Sequence, residues 1–195
     1  MQRRTRSGAE GYYTNPNLVA TANTAYQLNI VRNDDTITST NALPDRKVLI
    51  DSFKVVKSPF SFFEEIYEAV PFYTDPVGRG DYYVLQGYWN GIKSTSVDTD
   101  SDEFIDGTVN KSSIDVRKQG VDEEGPEFNN GDTLTVELMC VRKPVYTLYS
   151  TLQLNSSAFA GNPANPTSNV KGNSNNAIGV FSVATIDRKT IIAQY

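Results

Sequence analysis

The stretch DTDSDEFIDG, which begins at Asp98, carries five carboxylates in ten residues. Asp98, Asp100 and Asp102 stand at alternate positions, and alternate carboxylates can converge on Ca²⁺, which takes about six to eight oxygen ligands. In an EF-hand loop, however, Gly is required where Glu103 stands, and a ligand is required where Val109 stands. The stretch is therefore either a solvated acidic loop, the commoner outcome for such a sequence, or a calcium site of another kind.

Other reactive side chains are scarce, because the chain has no histidine and Cys140 is its only cysteine. The missing histidine removes the commonest general base and every Ser-His or Cys-His nucleophile. A single cysteine excludes an intramolecular disulfide and a cysteine-based zinc site. Acidic residues are plentiful, but no pair is set apart in an apolar pocket as glycoside hydrolysis would need. We therefore expect no enzyme, no catalytic residue and no cofactor.

Charge and hydropathy limit the partners. The net charge is −5, and the basic residues cluster only at positions 3–6. Nucleic-acid binding depends on Lys and Arg contacts to phosphates, so nucleic acid is not an expected partner. No apolar run approaches the roughly 20 residues of a membrane helix. The N-terminal residues also lack the apolar segment of a signal peptide.

The clearest strand is NNGDTLTVELMCV, whose last residue is Val141. Its apolar side chains alternate with polar ones, which is typical of a strand with one buried face. The buried face should carry Leu134, Val136, Leu138 and Cys140. Thr135 and Glu137 belong to the opposite face, and we expect them to be clearly more exposed.

The segment DYYVLQGYWNG, from Asp81 to Gly91, predicts a second strand with apolar residues on both faces, as in the centre of a sheet. Asn90 and Gly91 then predict a tight turn. The aromatic residues could form a platform for a sugar or peptide ligand, but aromatics at strand alternation more often belong to a core. These aromatic residues are Tyr82, Tyr83, Tyr88 and Trp89.

Three further segments indicate strands. Residues 26–40 predict a hairpin that turns at the Asn-Asp-Asp at 33–35. FEEIYEAVPFY predicts a strand that ends at Pro71, although FEEIYEA alone could form one or two helical turns. Residues 177–195 predict a final pair of strands.

One segment has helical spacing. In KPVYTLYSTLQLNSS the apolar residues recur at i, i+3, i+4 and i+7, and Pro144 suits a first turn. Those apolar residues are Val145, Leu148, Tyr149 and Leu152. The sequence therefore predicts an all-β, immunoglobulin-like β-sandwich with one short helix near 144–154.

The Asn-, Pro- and Gly-rich stretch GNPANPTSNVKGNSNNAIGVF follows that helix at residues 161–181. A flexible linker would favour Gly and Ser, whereas Asn-Pro, Ser-Asn and Lys-Gly steps each favour a particular turn. We therefore predict an ordered loop over residues 162–176. Val170 is its one large aliphatic residue and should anchor it.

The order of these motifs resembles a family of Bacteroidota outer-membrane lipoproteins catalogued as domain of unknown function 4249. The resemblance covers about residues 75–183 and also the upstream residues around the predicted hairpin. It is carried by DPVGRGDYYVLQGYWNG, DEFIDG, NNGDTLTVELMCVRKPVYTLYSTL, NPANPTSNVKG and AIGVF.

The resemblance implies a non-enzymatic, surface-exposed lipoprotein domain that assists a TonB-dependent outer-membrane transporter by binding substrate or by docking on it. The alternative is a surface adhesion or carbohydrate-binding module, calcium-dependent if the acidic stretch holds an ion. A transporter would be the protein partner, and a peptide or glycan the ligand. The membrane would be reached only through an N-terminal lipid anchor, which this sequence does not show. On this comparison, residues 1–50 are the remainder of a first immunoglobulin-like β domain, and residues 51–195 are the main sandwich.

Overall fold

The computed structural model is an antiparallel β-sandwich with one helix. It describes residues 2–4, 12–15, 17–32, 35–57, 67–115, 129–158 and 172–193. Strands make up 51% of these residues, and the strand pairs are antiparallel, which confirms the all-β prediction.

The elements are numbered in chain order over the described residues. The strands are β1 (Gln2–Arg4), β2 (Tyr12–Thr14), β3 (Ala25–Arg32), β4 (Asp35–Ala42), β5 (Ser52–Lys57), β6 (Tyr67–Thr74), β7 (Tyr82–Trp89), β8 (Ile92–Ser101), β9 (Val109–Asn110), β10 (Ile114–Asp115), β11 (Thr133–Val141) and β12 (Thr185–Ile192), and the helix is α1 (Lys143–Ala158).

Two sheets enclose the core. The larger has the strand order β12-β11-β7-β8, and in the smaller β6 lies between β5 on one side and β9 and β10 on the other. Buried side chains from both sheets form one cluster, which makes the pair a sandwich. The cluster contains Val48, Ile50, Phe53, Ala69, Tyr73, Tyr83, Leu85, Trp89, Ile114, Leu134, Val136, Leu138 and Cys140.

The two strands with the clearest sequence pattern, β7 and β11, are the central strands of the larger sheet. Leu134, Val136, Leu138 and Cys140 of β11 are all buried, as predicted. The Sγ atom of Cys140 accepts a hydrogen bond from the backbone N–H of Val48 at 3.3 Å. Burial raises the pKa of this thiol, so Cys140 behaves as a small core residue.

The prediction for Glu137 is wrong, because its side chain is buried with 5% exposure. Arg188 is its cross-strand partner on β12 and donates a charge-assisted hydrogen bond to the Glu137 carboxylate. The guanidinium also lies over the ring of Tyr88, 6.0 Å from its centroid. The long side chain of Arg188 therefore covers the Glu137 carboxylate, which would otherwise be in contact with solvent. Thr135, on the same face, is half-buried.

The helix α1 confirms the predicted helix and continues it to Ala158. The carbonyl of Arg142 accepts a bond from the N–H of Val145 at 2.9 Å, with Pro144 in the first turn. Val145 is buried with Val84 and Val141 on the outer face of the larger sheet and Leu148 is also buried, whereas Leu152 is 44% exposed. The apolar face is thus covered at the start of the helix and opens towards its end. No helix among the described residues is long and apolar enough to span a membrane.

Two predicted strand boundaries are wrong. The strand β6 does not end at Pro71 but runs through it to Thr74. On one side of β6, β10 pairs with residues 68–69 and β9 with residues 73–74, which leaves Pro71 at a gap between the two partners. A proline is tolerated where no ladder bond needs its N–H. The predicted final pair of strands is one strand, β12, which pairs along its length with β11.

The predicted hairpin is present as β3 and β4, and part of the Asn-rich stretch lies along β4. The N–H of Asn175 donates to the Thr38 carbonyl at 2.8 Å, and the Ser39 hydroxyl donates to the Asn173 carbonyl at 2.8 Å. The Asn173 side chain also bridges the backbone of Phe181, with its Nδ2 on the carbonyl and its Oδ1 on the N–H, each at 2.8 Å.

These asparagine amides satisfy backbone groups that no regular ladder reaches. The predicted anchor Val170 lies outside the described residues, and so do most of residues 162–176. The division of the chain at residue 50 stays a prediction.

Gly172 and Gly179 meet where this segment folds back on itself. A Cβ atom at position 172 would overlap the carbonyl oxygen of Gly179. We expect Gly172→Ala to lower the free energy of unfolding by about 1–3 kcal/mol, because backbone must move to make room. Urea unfolding measures the change. Ser182→Ala, an exposed position in the same segment, is the control and should have no effect beyond about 0.5 kcal/mol.

Candidate functional site

The three calcium candidates do not converge on one site. Asp98 is bonded to Gln153 of α1, since Gln153 Nε2 donates to Asp98 Oδ1 at 2.9 Å. Asp100 accepts hydrogen bonds from Tyr73, Asn110 and Ser112, which belong to or follow β6 and β9. Each of these carboxylates is held by neutral donors and ties β8 to another element.

Asp102 instead belongs to a different group of acids, at one end of the sandwich. Carboxylate oxygens of Asp75, Asp81 and Asp102 all lie within 4.8 Å of one another. We call these three residues the carboxylate cluster. Asp75 and Asp102 are buried, with 1% and 4% exposure, and Asp81 is half-buried.

Each member of the carboxylate cluster has identified donors. Asp102 Oδ2 accepts the N–H groups of Gly80 at 2.5 Å and of Asp81 at 3.0 Å. Asp75 accepts the Tyr83 hydroxyl on one oxygen and the Gly107 N–H, at 3.1 Å, on the other. These carboxylates therefore hold two loops, residues 75–81 and 102–108, against each other and against β7.

Asp81 forms an ion pair with Arg46, whose Nη1 is 2.6 Å from Asp81 Oδ2. The same Nη1 donates to the Gly78 carbonyl at 2.9 Å. Partial burial raises the pKa of Asp81, although the bond to Arg46 opposes this shift. The guanidinium links residues before β5 to the Gly-rich loop.

A cation could in principle use oxygens of the carboxylate cluster, since carboxylates are the ligands that Ca²⁺ prefers. These oxygens, however, already accept hydrogen bonds from backbone amides, a tyrosine hydroxyl and a guanidinium. The chemistry of the cluster is thus loop closure, and its acids explain why Asp and Gly recur in DPVGRGD and DEFIDG.

The loop of residues 102–108, which we call the tip loop, is a tight turn. The N–H groups of Ile105 and Asp106 both donate to the Asp102 carbonyl, at 3.2 and 3.1 Å, and Thr108 donates to the Ile105 carbonyl at 2.8 Å. Asp106 accepts the Gly78 N–H at 2.6 Å. At its apex Phe104 is 92% exposed. The neighbouring Val77 is 82% exposed and faces Gly107.

A second feature is an open cleft of about 600 Å³ between β8 and the middle turns of α1. One wall consists of residues 95–98 of β8, and the other of Tyr149, Leu152 and Gln153. We call it the β8–α1 cleft. It contains Asp98, so one of the three predicted acids does lie at a concave surface.

The aromatic platform considered above does not form. Tyr83 and Trp89 are core residues, Tyr82 packs on Tyr146 of α1 with ring centroids 5.1 Å apart, and Tyr88 lies beside Glu137.

The residues that sequence reasoning missed are Asp75 with its partner Tyr83, the exposed Phe104, and the α1 wall of the cleft. The sequence signal that pointed to Asp75 was the motif DPVGRGD, with its Asp-Pro and Gly-x-Gly-Asp steps.

Comparison with known proteins places the chain in one family. No curated protein and no solved structure matches it. A family model described as a domain of unknown function (DUF4249) matches residues 2–190, so the protein belongs to that family.

Proposed function

We propose that this protein is a non-enzymatic surface lipoprotein domain of the bacterial outer membrane that docks on a TonB-dependent transporter and assists it. The observation that supports docking is Phe104. Phe104 is 92% exposed at the apex of the tip loop, and Val77, which faces Gly107 of the same loop, is 82% exposed, so this end of the sandwich presents two large apolar side chains to solvent.

The tip loop presents Phe104 on a rigid base. Two buried carboxylates, Asp75 and Asp102, fix the loop at both ends, and Asp106 bonds it to Gly78. Ordering a loop on binding costs affinity, and a loop already fixed avoids most of that cost. Exposed aromatic residues on rigid scaffolds are the usual anchors of protein interfaces.

The charge around the anchor supports a partner of complementary chemistry. The two loops at this end carry five carboxylates, and Arg46 and Arg79 supply the neighbouring cationic groups. Glu103 and Asp106 are exposed beside Phe104. A matching surface has an apolar pocket for the ring and lysine or arginine around it. We assign that surface to the outer loops of the transporter.

Photo-crosslinking in intact native cells tests this proposal. We expect p-benzoyl-phenylalanine at position 104 to crosslink to a TonB-dependent transporter, identified by mass spectrometry. We also expect Phe104→Ala to weaken capture of that transporter by roughly 30-fold or more, since a central aromatic anchor contributes about 2 kcal/mol or more.

Ile178 supplies the matched control, because it is 87% exposed but lies near the end of the Asn-rich stretch and not in the tip loop. The same photo-residue at position 178 should give no transporter crosslink. Equal crosslinking from both positions, or crosslinking from position 104 only to other proteins, would contradict docking through the tip loop.

A further inference from the structure

The β8–α1 cleft has the size and form of a ligand site, and its role does not depend on docking through Phe104. Its volume of about 600 Å³ lies within the range of roughly 300–1,000 Å³ that is usual for small-molecule sites. The helix wall is formed by Tyr149, Leu152 and Gln153, whose i, i+3, i+4 spacing places them on one side of α1.

The strand wall is held rigidly. A register shift between β7 and β8 occurs at Gln86 and Tyr88, just behind this wall. The buried amide of Gln86 donates from Nε2 to the carbonyls of Ser94 and Ser96, at 3.0 and 3.1 Å. The irregular part of β8, residues 94–96, is therefore held by an internal hydrogen-bond donor.

Hydrogen bonds also fix two planar polar groups at the cleft, the Gln153 amide and the Asp98 carboxylate. Gln153 donates from Nε2 to Asp98 Oδ1 at 2.9 Å, and Thr99 Oγ1 donates to Gln153 Oε1 at 3.1 Å. The two bonds orient the amide and the carboxylate across the gap between strand and helix. A carboxylate offers about four lone-pair positions, and a primary amide offers two N–H donors and a carbonyl oxygen.

The lining combines these polar groups with an apolar surface. Tyr149 is half-buried, and Leu152 is 44% exposed, so both present apolar area to the cleft. Among the described lining residues Asp98 is the one charged group, and none is basic. An anionic ligand would meet repulsion there. A wholly apolar ligand would remove Asp98 and Gln153 from water without returning a hydrogen bond to them.

A sugar ring matches both parts of this surface, because it has an apolar C–H face and a rim of hydroxyl groups. Its C–H face fits the ring of Tyr149 and the side chain of Leu152. Its hydroxyl groups can donate to the Asp98 carboxylate and accept from the Gln153 amide. We propose that the β8–α1 cleft binds a short neutral oligosaccharide by direct hydrogen bonds and ring contact, without a metal ion.

The test is binding of soluble neutral oligosaccharides (glucans, mannans, galactans and xylans) to the full chain, first on an array and then by calorimetry. We expect at least one of these glycans to bind. Asp98→Asn should weaken that binding by roughly tenfold, since it replaces a charged acceptor by a neutral amide. Leu152→Trp should abolish it by filling the cleft. Binding should be unchanged in EDTA.

Leu154→Trp is the matched control, since Leu154 is exposed on the same helix but does not line the cleft. It should bind glycan as the wild type does. Gln153→Ala changes an exposed side chain and should also weaken glycan binding. It provides a second test if Leu152→Trp fails to fold. The proposal would be overturned if no glycan bound, if both tryptophan variants lost binding equally, or if binding were lost in EDTA. Binding of a lysine-rich peptide instead of glycans would also overturn it.

Discussion

The free energy of unfolding is expected to fall steeply above pH 10. Tyr73 and Tyr83 face each other in the centre of the sandwich, with ring centroids 5.2 Å apart, and both are fully buried. Burial raises the pKa of both hydroxyl groups well above their usual value near 10. The negative charge of Asp100 adds to the shift at Tyr73, and the hydrogen bond to Asp75 adds to it at Tyr83.

The direction of the pH effect follows from which state holds the protons. Above about pH 10 the unfolded chain loses the two phenolic protons, whereas the folded protein keeps them because its tyrosine pKa values are raised. The stabilisation is therefore complete below pH 10 and is lost as the pH rises beyond it. Each tyrosine contributes a slope of about 1.4 kcal/mol per pH unit, so the pair contributes about 3 kcal/mol per unit.

Urea unfolding at a series of pH values between 8 and 12 measures this slope. Tyr73→Phe and Tyr83→Phe should each reduce it by about 1.4 kcal/mol per pH unit relative to the wild type. Tyr26→Phe is the control, because Tyr26 lies on the β3–β4 hairpin and not in the core. A slope that neither core substitution changes would show that other groups control the alkaline transition.

Much of the fold follows from local sequence pattern. Four of the sequence signals each act within one element. They are the alternation in 133–141, the two apolar faces of 82–89, the Asn90-Gly91 turn and the helical spacing from Val145 onwards. In each case the local preference and the tertiary structure agree, so the pattern alone predicted the element. Asn90 and Gly91 do adopt positive φ angles, 47° and 77°, as the tight turn requires.

The errors occur where a partner distant in the chain decides the outcome. Glu137 is buried because Arg188, 51 residues later, lies opposite it on β12. Pro71 is tolerated because of where β9 and β10 happen to pair. Local patterning does not contain these pairings, since register is set by packing across the sheet.

The acidic stretch illustrates the same limit at the candidate site. Alternate spacing predicts that three aspartates share one direction, but each of the three bonds to a different part of the fold. Asp98 and Asp100 lie on β8, which ends at Ser101, whereas Asp102 begins the tip loop. The carboxylate cluster instead joins Asp102 to Asp75 and Asp81, which the sequence places more than 20 residues earlier.

Removing the carboxylate of Asp75 should give the largest loss of stability of the substitutions considered. Asp75→Ala leaves the Tyr83 hydroxyl and the Gly107 N–H without their acceptor, and the hydroxyl is fully buried. An abandoned buried donor costs about 1–3 kcal/mol, and hydrogen bonds to charged acceptors are the stronger kind. We expect the free energy of unfolding to fall by about 4 kcal/mol at pH 7, measured by urea unfolding.

The double variant Asp75→Ala/Tyr83→Phe separates this cost from a general loss of packing. Removing the hydroxyl as well removes the abandoned donor, so the double variant should be more stable than the sum of the single effects predicts, by about 1–3 kcal/mol. Asp106→Ala is the matched control, because Asp106 accepts one N–H from the same pair of loops but is exposed. Its loss should cost about 1 kcal/mol or less. Strict additivity of Asp75→Ala and Tyr83→Phe would mean that the two side chains do not depend on each other. The buried carboxylate would then stabilise the tip loop only through Gly107, and β7 would have no part in holding Phe104 in place.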